Sequence, residues 1–172
     1  GMTALYHQQD IKKSSSDNYF TTPGIEKIYE NARKVALTDE VSVLILGASG
    51  LLGSIIFHRL AKTYKTIGFS HRKNNNKKIL QTNYIKFSRK QISIIKNSEI
   101  IINCIGENSN EGFMKKINIE ILKKISKQIN ILDKNKIFIH ISTCGIYGNF
   151  NHILITENTQ PNPKTIYSKT KY

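Results

Sequence analysis

Tyr167 and Lys171 stand four residues apart in the run Tyr167-Ser168-Lys169-Thr170-Lys171. On a helix, that spacing stacks both side chains on one face. A tyrosine titrates near pH 10 (about 10 in model peptides), which makes it a poor acid or base at neutral pH. A cation held beside it favours the phenolate. Such a pair can move a proton to or from a hydroxyl while a hydride leaves or arrives. The spacing alone is weak, because tyrosine and lysine are both abundant in this chain.

A second chemistry is written into Gly47-Ala48-Ser49-Gly50-Leu51-Leu52-Gly53, which follows the apolar run Val41–Leu46. A pyrophosphate needs backbone N–H groups at a helix N-terminus and no side chain in the way. Gly47 suits the tight turn out of a strand. Gly50 lets backbone approach phosphate, and Gly53 lets a helix pack closely. Ser49, Leu51 and Leu52 complete the predicted phosphate-binding set. Strand before and helix after are the context this motif requires.

The elements that must position these groups alternate along the chain. Val41–Leu46 predicts a strand buried on both faces. A helix over Leu51–Tyr64 follows, then strands over Thr66–Phe69 and Tyr84–Phe87. Lys90–Lys96 predicts a short helix and Ile100–Cys104 a fourth strand. Glu111–Ile131 predicts a long helix, with Ile117, Ile121, Ile125 and Ile129 on one stripe. Ile137–Ile141 is the fifth strand, and a last helix begins near Thr165. Strict alternation implies an α/β fold: a doubly wound parallel sheet, Rossmann-like, with strand order 3-2-1-4-5 and helices on both faces. Thr143 then falls just past the fifth strand, at the carboxyl edge where such sheets bind ligands. Gly106 falls just past the fourth, where backbone would approach a ligand bound at that edge. A helix ending one residue past Lys171 leaves its last carbonyls without partners in the helix, so fraying is expected.

Residues 1–40 read as a separate polar segment followed by an amphipathic helix. Thr22-Pro23 is a helix-start signal, and Ile25, Ile28, Tyr29, Ala32, Val35 and Ala36 recur at helical spacing. The start of the chain is polar and shows no secretory signal, and the longest uncharged stretch, Val41–Phe57, is too short and too rich in glycine and serine to span a membrane. Two cysteines, Cys104 and Cys144, without metal-type spacing fit a cytoplasmic location. His140, between isoleucines in a strand, reads as a buried, hydrogen-bonded histidine and not a catalytic one.

The formal charge is +14. Residues 1–40 carry five Lys/Arg and six Asp/Glu, so the whole excess lies in 41–172. The basic residues are scattered and lack interleaved aromatics, which argues against nucleic acid as the partner. An anionic small ligand is the better beneficiary of the field.

Together, the GxxGxxG spacing, Asn118 in the long helix, Ser142-Thr143 with Tyr147-Gly148, Glu157, and Tyr167 with Lys171 resemble the extended short-chain dehydrogenase/reductase family, also called the NAD-dependent epimerase/dehydratase family. The resemblance covers about residues 41–172 and implies the cofactor-binding part, ending before the substrate-binding part. It implies an oxidoreductase with Thr143, Tyr167 and Lys171 as catalytic residues, Thr143 positioning the substrate oxygen and Ser142 as the neighbouring alternative. The expected partners are a nucleotide-sugar substrate and a second copy of the chain, in polysaccharide biosynthesis. His140 to Gly148 resembles the corresponding stretch of nucleotide-sugar 4,6-dehydratases, but those carry acids where this chain has Cys144 and Gly145. Epimerisation or keto-reduction is therefore expected over dehydration. A dinucleotide-binding module without turnover is the alternative, since Ile102–Gly106 also resembles non-enzymatic subunits related to the family.

An acid at the end of the second strand would hold the ribose of NAD. None occurs from Val41 to Asn97. The strand runs out instead through Ser70-His71-Arg72-Lys73, where Arg72 suits a 2′-phosphate and Ser70 a hydrogen bond to it. NADP(H) is the expected cofactor, with NAD(H) second. The family's acid near the adenine, after the third strand, is expected to be replaced by Ser88.

Overall fold

The computed structural model describes residues 42–129, 136–148 and 154–172. The predicted N-terminal segment and helix, and Val41 itself, lie outside the described residues. The described residues divide into two units at Ile141 and Ser142.

The first unit holds a parallel sheet of five strands among the described residues, in the order β3-β2-β1-β4-β5. Its strands are β1 Ser42–Leu46, β2 Lys65–Ser70, β3 Ile79–Gln81, β4 Ile100–Asn103 and β5 Ile137–His140. The predicted order 3-2-1-4-5 is the observed one. β1 is the central strand, with Val43 beside Thr66 on one side and beside Ile100 on the other. Its residues Val43, Leu44, Ile45 and Leu46 are each 1% exposed or less. Successive side chains point to opposite faces, so burial of all four requires cover on both. Each such side chain contributes roughly 1.5–3 kcal/mol when fully buried.

Helix α1 (Leu51–Leu60) packs on β1 and β2 through Ile56, Phe57 and Leu60. Ten residues are too few for a stable helix in water, so this packing holds it. The prediction ran α1 on to Tyr64. It ends sooner because the amides of Thr63 and Tyr64 both turn back to the Leu60 carbonyl, at 3.1 and 2.8 Å, which delivers Lys65 into register beside Ser42.

The predicted third strand, Tyr84–Phe87, is a turn, and β3 lies earlier, at Ile79–Gln81. The Tyr84 ring turns inward and its hydroxyl donates to the Phe69 carbonyl, 2.7 Å away. The turn is closed by the Lys86 amide on the Asn83 carbonyl at 3.1 Å. It leads into α2 (Arg89–Asn97), whose N-cap is Ser88. Ser88 and Gln91 form a reciprocal capping box there.

The long helix, α3, runs without a break through Glu111–Met114, a wider π-helical stretch Lys115–Glu120, and Ile121–Gln128. The predicted isoleucine stripe faces the core: Ile121, Ile125 and Ile129 are buried with Leu44, Leu46, Phe69, Ile95 and Ile101, and Ile117 packs against them. Backbone at Ile129 is already extended, which ends the helix before the predicted Ile131. Lys115, Lys116, Lys123, Lys124 and Lys127 are exposed.

In the second unit, a 3₁₀ turn spans Cys144–Tyr147 and α4 spans Ile166–Lys171. Thr165 caps α4 in a capping box with Ser168, where the last helix was expected to begin. The Ser142 hydroxyl donates to Lys171 O at 3.0 Å.

Candidate functional site: a cleft at the carboxyl edge of the sheet

The chain leaves β1 at Gly47 with φ +80°, a conformation that L side chains rarely adopt. The amides of Gly47 and Ala48 both reach the Phe69 carbonyl, each at 2.9 Å, and the Gly50 amide reaches Gly47 O at 2.9 Å. Gly53 packs against this turn: a Cβ there would stand 2.2 Å from Gly47 O. Gly50 is the N-cap of α1, no side chain caps it, and no acid occupies the first turn. The first amides of a helix lack intrahelical partners and carry the positive end of its dipole. An uncapped, acid-free N-terminus behind a glycine turn is a fit for pyrophosphate.

The turn opens into a cleft of about 1000 Å³ at the carboxyl ends of the strands. Gly47, Ser49, Gly50, Leu51, Arg72 and Gly106 line it. Three other predicted cofactor residues do not. Leu52 is half-buried and Gly53 is buried against the turn. Ser70 is fully buried, and its hydroxyl lies 2.6 Å from Ser49 Oγ while accepting from the Arg72 amide at 3.0 Å. Ser70 therefore shapes the turn at the end of β2. His71 and Arg72 beyond it are exposed and face the cleft.

Sequence alone missed a further part of the lining, a wall from Gln81 to Ile85 following β3. The place after the third strand thus belongs to Thr82 and Asn83. The expectation for Ser88 is corrected, since that residue caps α2 and its hydroxyl is engaged by the Gln91 amide. Gln91 also holds the wall, donating to Gln81 O and Thr82 Oγ1, each at 3.1 Å. The hint available in sequence was Ile79-Leu80, a short apolar pair ahead of Tyr84.

Past β4, Glu107 is clasped by Asn118, a buried side chain in the π-helical stretch. The Glu107 amide donates to Asn118 Oδ1 at 2.9 Å, and Asn118 Nδ2 returns to Glu107 O at 3.0 Å. Amides of Ser109 and Asn110 bond the Glu107 carboxylate and hold its pKa below the usual range. His140 pairs through Nδ1 with Asn103 Nδ2 at 3.0 Å, hydrogen-bonded as expected, but it is half-buried where full burial was expected, because β5 is the last strand of the sheet.

In the second unit, Tyr167 and Lys171 lie on α4, with Lys171 buried and Tyr167 half-buried. Burial pushes the Tyr167 phenol up, and the Cys144 thiol adds to the effect. The Thr143 hydroxyl accepts from the Gly145 amide at 3.3 Å, capping the 3₁₀ turn. Gly148, at φ +88°, ends it where a Cβ would meet Asn162 O at 2.6 Å.

The sequence matches the NAD dependent epimerase/dehydratase family over residues 43–172, three quarters of the chain. The chain belongs to that family. Among solved structures, it is similar to UDP-glucuronic acid 4-epimerase from Bacillus cereus in complex with NAD, at 18% identity and TM-score 0.63, covering 76% of this chain and 49% of that one. It is similar to UDP-N-acetylglucosamine 4-epimerase from Methanobrevibacter ruminantium M1, at 18% identity and TM-score 0.64, over 78% and 48%. A hypothetical dTDP-4-dehydrorhamnose reductase from Sulfolobus tokodaii is 25% identical, at TM-score 0.62, over 76% and 49%. The chain thus spans about half the length of these family relatives. No curated protein matches it. Among the described residues, no helix is long and apolar enough to cross a membrane.

Proposed function

We propose that the cleft binds NADP(H) in preference to NAD(H), and that the chain serves nucleotide-sugar epimerisation or keto-reduction. The observation that carries the cofactor choice is the end of β2. His71 and Arg72 are exposed there and line the cleft, and the sequence places no carboxylate between Val41 and Glu99. Arg72 suits a 2′-phosphate, which a carboxylate in its place would repel. The substrate class is supported by the family and by the sugar-nucleotide enzymes among its structural relatives.

When bound, the nicotinamide supplies or accepts the hydride. Tyr167 takes the proton of the substrate hydroxyl in one direction and returns it in the other. Lys171, one turn along α4, is the cation assigned to favour the phenolate, against the burial that raises the Tyr167 pKa. Thr143 orients the substrate oxygen. Its hydroxyl accepts from Gly145 and keeps its own proton to donate, whereas the neighbouring Ser142 spends its proton on Lys171 O.

Titration with NADPH and with NADH, followed by nicotinamide fluorescence, tests the cofactor choice. NADPH should bind about tenfold tighter or better, and Arg72→Ala should erase the difference, as expected for a charged hydrogen bond worth roughly 1.5–3 kcal/mol. Equal affinities would refute the preference.

A further inference from the structure

The Tyr84 hydroxyl gathers three segments of chain at the back of the cleft. It donates to the Phe69 carbonyl at 2.7 Å and accepts from the Gly47 amide at 3.0 Å. The Gly47 amide is thus shared between Phe69 O and the phenol oxygen. Gly47 is where the chain turns from β1 toward the N-terminus of α1. Phe69 precedes Ser70, which holds Ser49 and the Arg72 turn. One oxygen therefore links the phosphate-facing turn, the end of β2 and the wall after β3. The Tyr84 ring is 6% exposed and meets Phe87 edge to face, with centroids 6.3 Å apart. Burial pushes its pKa upward, so the hydroxyl keeps its proton and stays a donor. Both its donor and acceptor capacities are used within the chain, which leaves it no part in proton transfer.

We propose that Tyr84 is a positioning residue for dinucleotide binding, its hydroxyl holding the Gly47 turn so that the first amides of α1 face the phosphates. Tyr84 lines the cleft, but its hydroxyl is engaged by the Phe69 carbonyl and the Gly47 amide, so the effect travels through Gly47. This rests on the reading of the cleft as a dinucleotide site.

Tyr84→Phe keeps the ring and removes the link. In the full chain it should weaken NADPH and NADH alike, by about 3- to 10-fold, the range of a single net hydrogen bond. Their affinity ratio should stay fixed, and hydrogen exchange at the Gly47 amide, read by NMR, should quicken. Phe87→Leu disturbs the packing of the ring and spares the hydroxyl. It should lower the thermal midpoint and leave both affinities within about twofold. Wild-type affinity in Tyr84→Phe would overturn the proposal alone. Equal losses of affinity in both variants would also overturn it, by making the role one of packing. Failure of the wild-type chain to bind either dinucleotide would overturn the site reading and the proposal with it.

Discussion

A Cβ on Gly53 would stand 2.2 Å from the carbonyl oxygen of Gly47 and 2.8 Å from its carbonyl carbon. Both obstacles are backbone, and that oxygen already accepts the Gly50 amide. Neither can swing aside as a side chain would. Gly53→Ala is therefore expected to destabilise the protein by about 1–3 kcal/mol through overpacking. The gain of about 1 kcal/mol that alanine brings to a helix interior does not cover the larger part of that range. Urea unfolding measures the difference, and an unchanged midpoint would show that the turn and α1 can part without cost.

Gly50 behaves differently. Its backbone is extended, with φ −74° and ψ 168°, and a Cβ there meets only Gly47 O, at 3.3 Å. Gly50→Val should fold with stability within about 1 kcal/mol of the wild type. Its side chain would stand where phosphate has to approach the α1 amides, so dinucleotide binding should vanish. Calorimetric titration beside a thermal scan separates the two effects, and a variant that still binds would place the phosphates elsewhere.

The raised pKa of the Tyr84 phenol has a consequence for alkaline stability. Below the ordinary tyrosine range both folded and unfolded chains are protonated there, and the stability from burying the neutral phenol is fully present. As pH rises past about 10, the unfolded chain ionises while the folded chain keeps its proton, so stability falls. Tyr167 is shifted in the same direction and contributes equally in both proteins compared. The wild type should therefore lose more stability than Tyr84→Phe between about pH 9 and about pH 11. Parallel curves of midpoint against pH would contradict the assignment of the shift to Tyr84.

Tyr167→Phe should lower kcat on a nucleotide sugar by about 10²–10⁴-fold in the full-length protein, the usual contribution of general acid–base catalysis. The dinucleotide Kd should move by less than about twofold. Burial raises the Tyr167 pKa, so the phenolate fraction grows with pH throughout the neutral range. Oxidation of a substrate hydroxyl should accelerate with pH, and reduction, which uses the protonated phenol, should not. Dinucleotide binding with no dependence of any turnover on Tyr167 would favour the binding module over the enzyme.

The strand order and the glycine turn were legible because each rests on a local signal. A continuous apolar run marks a doubly buried strand, as in Val43 to Leu46, and three glycines mark the turn. The start of α4 was legible for the same reason, since Thr165 and Ser168 cap it from within four residues. β3 was misplaced because it has only three residues, while Tyr84–Phe87 mimics strand alternation. Tyr84 is buried there by a bond to Phe69, 15 residues away, which no local pattern reports. The π-helical stretch was equally hidden: its buried Asn118 answers Glu107, 11 residues earlier, across a loop. Ser70 looked like a ligand donor because sequence cannot tell that its hydroxyl is already taken.

The bonds that Ser70 makes to residue 72 reach only backbone: its oxygen accepts the Arg72 amide and donates to the Arg72 carbonyl, at 3.0 and 2.9 Å. Any side chain at position 72 inherits the same turn. Exchanging Arg72 for another residue, an acid included, leaves the Ser49 and Ser70 contacts in place, whereas exchanging Ser70 disturbs all of them at once. Position 72 is therefore the evolvable one, open to drift or engineering in single steps, and position 70 can change only in company with its neighbours.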